Sequence, residues 1–209
     1  KEIDAALLDG RIDAAVHSMK DVESVLPEGL TVVSVLPRED PREFLLSPTN
    51  GGIADLPKGA VVGTSSPRRQ AQLLNRRPDL KVVMFRGNIG TRLQKFSNGD
   101  VDATLLALAG LRRLGCSPVG SIIQPEEMLP SVAQGVIGIQ ICDDAPIIRD
   151  LFSGFCHTET YNCVTAERAM LAAFGGTCTT PIGALAICKG SEMCLRTKLF
   201  SGDGSKVFS

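Results

Sequence analysis

Between residues 60 and 113 the chain alternates regularly between short apolar runs and segments with helical spacing. The apolar runs lie at 60–63, 81–85 and 103–106, and the helical segments lie at 67–77, 88–96 and 107–114. Three successive strand–helix repeats predict a parallel sheet with helices on its faces. In such sheets, ligands bind where the strands end and the helices begin.

The rest of the chain shows the same mixture of apolar runs and amphipathic segments. We predict helices at 2–9 and 158–173, strands at 12–16, 30–36, 136–141, 182–188 and 194–200, and a hairpin turn at Asp203-Gly204. Two proline-containing connectors, 37–41 and 129–135, are predicted to be crossovers between domains. The fold class is therefore α/β.

The charge of the chain is unevenly distributed. The net charge is −1, but residues 60–113 carry ten Lys and Arg against three acids. A local positive field favours anionic ligands. Nucleic acid is the obvious alternative, but Phe85 and Phe96 are the only aromatic residues in this block to stack on bases.

Cysteine usage and hydropathy exclude several classes of protein. The seven cysteines include no C-x-x-C pair, which favours reduced thiols in a cytosol-like compartment. The two histidines and the scattered thiols lack metal-ligand spacing, so no metal site is predicted. No apolar run approaches the ~18 residues of a membrane helix.

Two distant motifs carry the candidate chemistry. Asp21 ends the run His17-Ser18-Met19-Lys20-Asp21, and Cys178 lies in the turn Gly175-Gly176-Thr177-Cys178. A carboxylate, a thiol and a basic block together indicate covalent chemistry on a polyanionic small molecule.

Eight collinear motifs span nearly the whole chain: DAAVHSMKD, PREDPRE, VGTSSPRRQAQL, FRGNIGTRL, DATLLALAGLRRLG, LPSVAQGVIGI, TAERAML and GGTCTTPIG. With these motifs the chain resembles the porphobilinogen deaminase (hydroxymethylbilane synthase) family. The resemblance implies two periplasmic-binding-protein-like (type II) domains with parallel-rich sheets, and a small α/β third domain that carries the cofactor cysteine. On this plan domain 1 comprises 1–36 and 137–154, domain 2 comprises 42–130, and domain 3 comprises 159–209. The hinges are 37–41 and 131–136.

The resemblance implies a transferase that condenses four porphobilinogen molecules head to tail into hydroxymethylbilane and releases ammonia. A dipyrromethane cofactor, joined to Cys178 by a thioether, is implied as the primer. Asp21 is implied as the catalytic residue, placed beside the cation that forms as ammonia leaves.

The remaining site residues are also implied by the resemblance. Those expected to bind the cofactor are Ser18, Lys20, Thr64, Ser65, Ser66, Arg68, Arg69, Arg86 and Gly87. Those expected to bind substrate are Arg92, Gly110, Arg113 and Gln134. His17 is interpreted as structural, and Arg76, Arg77 and Arg112 as solvated or unplaced.

Two other functions stay open at this point: a non-catalytic, periplasmic-binding-type anion-binding protein, and a nucleic-acid-binding domain. The family resemblance also implies a monomer that binds neither nucleic acid nor membrane. We expect a cytoplasmic protein, or a plastid stromal one if a transit peptide precedes the chain. The sequence is expected to be truncated at both ends relative to the family. Pro67 stands where many family members have Leu.

Overall fold

The computed structural model describes residues 2–177, 179–190 and 192–209 as a mixed α/β chain. The helices are α1 (Glu2–Leu8), α2 (Pro67–Arg76), α3 (Ile89–Ser97), α4 (Leu108–Arg113), α5 (Pro146–Ser153) and α6 (Thr158–Ala173). The strands are β1 (Ala15–Ser18), β2 (Leu30–Val35), β3 (Glu43–Leu46), β4 (Val61–Gly63), β5 (Lys81–Val83), β6 (Ala103–Ala107), β7 (Gly120–Ile123), β8 (Ile137–Cys142), β9 (Ile182–Lys189), β10 (Glu192–Phe200) and β11 (Val207–Phe208). Two 3-10 turns lie at Met19–Asp21 and Ile53–Asp55. None of the helices in the described ranges has the length and apolar character needed to cross a membrane.

The chain divides into two compact units. Unit 1 comprises residues 1–39, 132–178 and 186–195, and unit 2 comprises residues 40–131, 179–185 and 196–209. Strands β9 and β10, which form a sheet of order β11-β10-β9, contribute residues to both units. The three-domain division remains a prediction.

Unit 2 is built on a five-stranded sheet of order β5-β4-β6-β3-β7. Strand β4 pairs in parallel with both β5 and β6, which confirms the predicted strand–helix repeats. Strand β3 is antiparallel to both of its neighbours, β6 and β7. Fully buried Val62, Leu73 and Leu105 pack together in the core of this unit.

Helices α2 and α3 begin at caps that the sequence encodes. The Ser66 hydroxyl accepts a hydrogen bond from the Arg69 amide, and Pro67 occupies the first helical turn. The Asn88 side chain accepts a hydrogen bond from the Thr91 amide at 2.9 Å. Each helix start follows a parallel strand, so free backbone N–H groups and the positive helix dipole lie at the same sheet edge.

Unit 1 contains a three-stranded sheet of order β1-β8-β2, in which β8 is antiparallel to both neighbours. Gly138 of β8 lies directly against Met19, and a Cβ added to Gly138 would lie 2.2 Å from the Met19 sulfur. A side chain at position 138 would therefore displace the buried side chain of Met19. Met19 begins the 3-10 turn that ends at Asp21, so this packing anchors the backbone that carries the candidate carboxylate.

Three elements were not predicted from the sequence: β3, β7 and α5. Strand β3 opens with Glu43, a charged residue that is fully buried, directly after the charged connector at 37–41. Strand β7 begins at a glycine and is half-exposed over most of its length. The first strand was predicted at 12–16 but lies at Ala15–Ser18, because its pairing with β8 runs from Ala15 to Ser18.

Candidate active site

Asp21 lies at the end of the 3-10 turn that follows β1. The turn is anchored at its start, because the Met19 amide donates to the Val136 carbonyl at 2.9 Å and the Met19 side chain is buried. The Val22 amide then donates back to the Met19 carbonyl at 3.3 Å. Asp21 itself is exposed. The carboxylate is thus carried on a fixed backbone but remains accessible to a ligand.

A cavity of about 310 Å³ in unit 1 adjoins Asp21. Its lining residues are Asp21, Glu23, Ser24, Val25, Ala172, Gly175, Gly176 and Thr177. The Ser24 hydroxyl donates to the Gly176 carbonyl at 3.0 Å, so the loop after α6 is tied to the loop after Asp21. The candidate anchor Cys178 lies outside the described residues, but Thr177 precedes it directly.

The second glycine of the Gly-Gly-Thr-Cys motif has a packing reason. A Cβ added to Gly176 would lie 2.4 Å from Cδ1 of Leu171, and the Gly176 amide donates to the Leu171 carbonyl at 2.9 Å. The loop therefore folds back closely on the end of α6. This close return brings Thr177 to the cavity wall.

The neighbours of Asp21 along β1 are partly buried. Ser18 pairs with Ile137 of β8, and both Ser18 and Lys20 are half-buried. His17 Nε2 lies 2.7 Å from Oε1 of Gln140 on β8. This hydrogen bond between neighbouring strands gives His17 a structural partner, as the sequence interpretation expected.

Unit 2 contains a buried group of three charged side chains, Arg68, Arg69 and Glu43, which we call the arginine–glutamate cluster. Glu43 accepts from Nη2 of Arg68 at 2.6 Å through Oε1, and from Nη2 of Arg69 at 2.7 Å through Oε2. The Nη1 atoms donate to backbone carbonyls, from Arg68 to Leu129 at 2.6 Å and from Arg69 to Leu105 at 2.7 Å. The side chains of Arg68, Arg69 and Glu43 are 6%, 7% and 0% exposed.

The electrostatics of this cluster leave it one positive charge in excess. The two guanidinium groups, with Arg69 contributing most, outweigh the opposing effect of burial and lower the pKa of Glu43 to about 2. Burial lowers the pKa of Arg68. Nε of Arg69 is buried without a hydrogen-bond partner in the described part of the chain. A buried net cation with an unused N–H donor fits a carboxylate ligand, and the implied cofactor carries carboxylates.

Arg92 lies near this cluster, whereas Arg86 and Arg113 are exposed. The pKa of Arg92 is lowered by partial burial and by the like charge of Arg69. Its Nε donates to the Gly87 carbonyl at 2.9 Å. The structure thus joins Arg68 and Arg69 through Glu43 and places Arg92 where it feels the charge of Arg69.

The space beside the two candidate glycines is filled by side chains of α3. A Cβ added to Gly87, whose φ is +131°, would lie 2.7 Å from Cγ2 of Thr91. A Cβ added to Gly110 would lie 2.7 Å from Cδ1 of Ile89. Both glycines therefore have a packing reason to lack a side chain, and their contact with a ligand remains a prediction.

The hydroxyl groups at the end of β4 support the start of α2. The Thr64 hydroxyl accepts from the Ser66 amide at 3.1 Å, and the Ser66 hydroxyl caps the helix. Thr64 is buried and Ser65 is half-buried. These two hydrogen bonds stabilise the turn that presents Arg68 and Arg69.

Two of the arginines expected to be solvated are bound to protein groups. Arg77 pairs with Asp79 at 2.7 Å and is only 19% exposed, which corrects the expectation of a solvated side chain. Arg76 donates to the carbonyls of Glu127 and Glu126 at 2.7 and 2.8 Å. These contacts arise because the loops before β4 and after β7 present carbonyl groups to the last turn of α2.

Gln134 is buried in the segment that the sequence predicted to be a hinge. Its backbone carbonyl accepts from Nε of Arg38 at 2.9 Å. The Arg38 guanidinium also donates to both carboxylate oxygens of Glu167, at 2.6 and 3.3 Å. Glu167 in turn accepts from the amides of Ala133 and Ala186, at 2.6 and 2.7 Å. This fully buried carboxylate therefore joins four parts of unit 1.

Sequence reasoning missed Glu43 and Glu167, the two buried carboxylates that organise these arginines. Both lie within motifs already recognised, PREDPRE and TAERAML. Their partners lie far away in sequence, so no local spacing reveals them. Among the described residues, no group of three or more His, Cys, Asp and Glu side chains is placed to hold a metal ion.

Comparison with known families decides the assignment. Residues 1–150 match the model described as "Porphobilinogen deaminase, dipyromethane cofactor binding domain", and residues 161–209 match "Porphobilinogen deaminase, C-terminal domain". The chain belongs to the porphobilinogen deaminase family. The family resemblance stated from the eight motifs is confirmed.

Curated relatives agree with this membership. The porphobilinogen deaminase of Paracoccus denitrificans is 49% identical over 210 residues, which cover 100% of this chain and 67% of the relative. The chloroplastic porphobilinogen deaminase of Oryza sativa is 50% identical, and the match covers 100% of this chain and 59% of the relative. The chain therefore spans about two thirds or less of the length of these relatives.

The solved structures that match this chain are much more distant from it in sequence. A putative methionine-binding lipoprotein from Bacillus subtilis matches with a TM-score of 0.49 and 14% identity, covering 78% of each chain. The VFT2 domain of Bordetella pertussis BvgS matches with a TM-score of 0.47 and 19% identity, covering 83% of this chain and 72% of that one. Likenesses at this level say nothing about function.

Proposed function

We propose that the chain carries the reaction centre of a hydroxymethylbilane synthase. This enzyme joins four porphobilinogen molecules head to tail and releases one ammonia for each. The observation that supports the proposal most directly is the cavity that Asp21 shares with Thr177, the residue before Cys178. Family membership supplies the reaction, and in unit 1 this cavity is lined by both the Asp21 carboxylate and Thr177, the residue before the proposed anchor.

Asp21 is proposed to stabilise positive charge. Loss of ammonia from porphobilinogen breaks a C–N bond and leaves a cationic pyrrole ring, which then forms a C–C bond to the growing chain. A fixed carboxylate beside the ring nitrogen stabilises this cation. The Asp21 Oδ atoms can also accept a hydrogen bond from the pyrrole N–H or take up its proton. The anchored 3-10 turn keeps the backbone of Asp21 in one position while the carboxylate remains accessible.

The arginines of unit 2 are proposed to bind the acetate and propionate groups of the pyrroles. Guanidinium groups bind carboxylates through two parallel hydrogen bonds, and burial strengthens them. The arginine–glutamate cluster keeps a net positive charge and an unpartnered N–H at Arg69. Arg92 adds a third cation close to Arg69. Arg86 and Arg113 are proposed to bind further carboxylates in unit 2, and Lys20 and Ser18 are proposed to bind carboxylates in unit 1.

Cys178 is proposed to hold dipyrromethane through a thioether bond, since a thiolate is readily alkylated by an electrophilic pyrrole. When bound, this group supplies the primer from which the chain grows. The carboxylate-binding character of the arginine–glutamate cluster fits such a group. The residues around Cys178 that the structure describes orient the loop, with Gly176 packed on Leu171.

The oligomeric state, location and domain organisation are proposed by analogy with the family. We propose a monomer in the cytoplasm or the plastid stroma, and the rice relative is named as chloroplastic. We also propose domains at 1–36 with 137–154, at 42–130 and at 159–209. Motion about the hinges 37–41 and 131–136 would accommodate the growing product.

Replacement of Asp21 by Asn tests the catalytic proposal. The change keeps the size of the side chain and removes its charge, so we expect intact folding and a loss of turnover of at least about 100-fold, the usual cost of losing an electrostatic stabiliser. Product formation is followed by the absorbance of the porphyrin formed on oxidation.

Asp13→Asn is the matched control, because Asp13 is also exposed and lies just before β1. It should retain full turnover. If Asp21→Asn turned over as fast as Asp13→Asn, the carboxylate would have no part in the reaction.

A further inference from the structure

Two thiols in unit 1 are in contact although the proposed reaction uses neither. Cys163 lies in the first half of α6 and Cys188 lies near the end of β9. Their sulfur atoms are 3.5 Å apart. Two sulfurs at this distance are in van der Waals contact, and a disulfide needs about 2.05 Å between them. An S–S bond therefore requires the two sulfur atoms to approach each other by about 1.5 Å.

The two thiols differ in accessibility. Cys163 is 5% exposed, and burial together with its contact to Cys188 raises the pKa of Cys163 to about 11. Cys188 is half-buried. An oxidant from solvent therefore reaches the sulfur of Cys188 first, and Cys163 is in place to react with the oxidised sulfur.

Other described cysteines lie in different surroundings. Cys142 donates to the Leu7 carbonyl at 3.1 Å, and Cys116 lies 3.7 Å from the Leu114 carbonyl. Cys194 is exposed. The contact between Cys163 and Cys188 is therefore not a general feature of the thiols in this chain.

We propose that Cys163 and Cys188 form a reversible intramolecular disulfide when the chain meets hydrogen peroxide. The bond closes a loop from residue 163 to residue 188, and this loop contains Cys178 and the cavity-lining residues 175–177. It joins α6 directly to β9. The inference rests on the geometry of the two thiols and does not depend on the proposed reaction.

The chemistry balances in two steps. The Cys188 sulfur attacks one peroxide oxygen, so that an S–O bond forms, the O–O bond breaks and water leaves. The Cys163 sulfur then attacks the Cys188 sulfur, so that the S–S bond forms, the S–O bond breaks, and the departing hydroxide takes the Cys163 proton as water. Two thiols lose two electrons and two protons, and one peroxide is reduced to two waters.

The test is non-reducing mass spectrometry of the full chain after treatment with one equivalent of hydrogen peroxide and capping of free thiols with a maleimide. We expect two fewer capped thiols, a mass lower by two hydrogens before capping, and a cross-linked peptide pair containing Cys163 and Cys188. A dithiol reductant should restore both capped sites.

Single variants separate this pair from chance oxidation. Cys188→Ser, at a half-buried site, and Cys163→Ala, at the buried one, should each abolish the cross-link, and circular dichroism checks that both remain folded. Cys194→Ser is the matched control and should form the cross-link at the unchanged rate. Cross-links that join other cysteines, or Cys188 oxidised to sulfinic acid with Cys163 still free, would overturn the proposal.

Discussion

Glu43 accepts hydrogen bonds from two buried guanidinium groups, so its replacement by Gln is a sharp test of the arginine–glutamate cluster. The change keeps the shape of the side chain and removes the charge that faces Arg68 and Arg69. The cluster holds the pKa of Glu43 at about 2 against an ordinary value of 4.5. At about 1.4 kcal/mol per pKa unit, this difference corresponds to about 3 kcal/mol of stability. This value agrees with the cost of about 3–5 kcal/mol for removing one partner from a buried ion pair.

Urea unfolding followed by far-ultraviolet circular dichroism measures this loss. Circular dichroism is preferred to intrinsic fluorescence because the chain has no Trp and one Tyr. With a denaturant dependence of about 1–3 kcal/mol per molar urea, the midpoint of Glu43→Gln should fall by at least about 1 M. The matched control is Glu126→Gln, which breaks an exposed ion pair with Arg196. Exposed pairs contribute little, so the midpoint of the control should match that of the unchanged protein.

The pH dependence gives an independent check on the same cluster. The pKa of Glu43 is lower in the folded chain, so its contribution is fully present above about pH 5 and is lost as the pH falls toward 2. The unfolding free energy of the unchanged protein should therefore fall over this range. Glu43→Gln should lack the part of this decrease that comes from protonation of Glu43. A Glu43→Gln protein as stable as the control at pH 7 would show that the Glu43 charge does not stabilise the two buried guanidinium groups.

Two further substitutions test the packing around the candidate site. Glu167→Gln should destabilise unit 1 by about 3 kcal/mol, because it removes the fully buried carboxylate charge that pairs with half-buried Arg38, and urea unfolding measures this loss. Gly138→Ala should destabilise by about 1–3 kcal/mol, because its Cβ would lie 2.2 Å from the Met19 sulfur. The loss in Gly138→Ala should shrink when Met19 is also replaced by Ala, and an undiminished loss in the double variant would show that Met19 is not the cause.

Much of the fold follows from local patterns in the sequence. The strand–helix repeat of unit 2 was predictable because each strand is a short apolar run and each helix begins at a recognisable cap, such as Ser66 or Asn88. Helix α6 was predicted with its observed bounds, and its second half, residues 166–173, consists of strong helix formers. Strand β3 was missed because its first residue, Glu43, is charged and yet fully buried.

The candidate site was predictable as a set of residue types but not as a geometry. The motifs identified Asp21, Arg68, Arg69 and Arg92, and the structure joins Arg68 and Arg69 through a shared carboxylate. Glu43, the partner of Arg68 and Arg69, lies 25 and 26 residues away from them in sequence. A charged residue that neutralises distant cations leaves no periodic signal, because its spacing is set by the sheet rather than by the local chain.

The proposed anchor is tested most directly by the mass of the protein purified from cells that make porphobilinogen, with peptide mapping across residue 178. If Cys178 anchors the primer, it should carry an added group of two pyrrole units with their acetate and propionate side chains. The Cys178→Ser variant should carry no adduct. An unmodified Cys178, or the same adduct on another cysteine, would contradict the proposal that Cys178 anchors the primer.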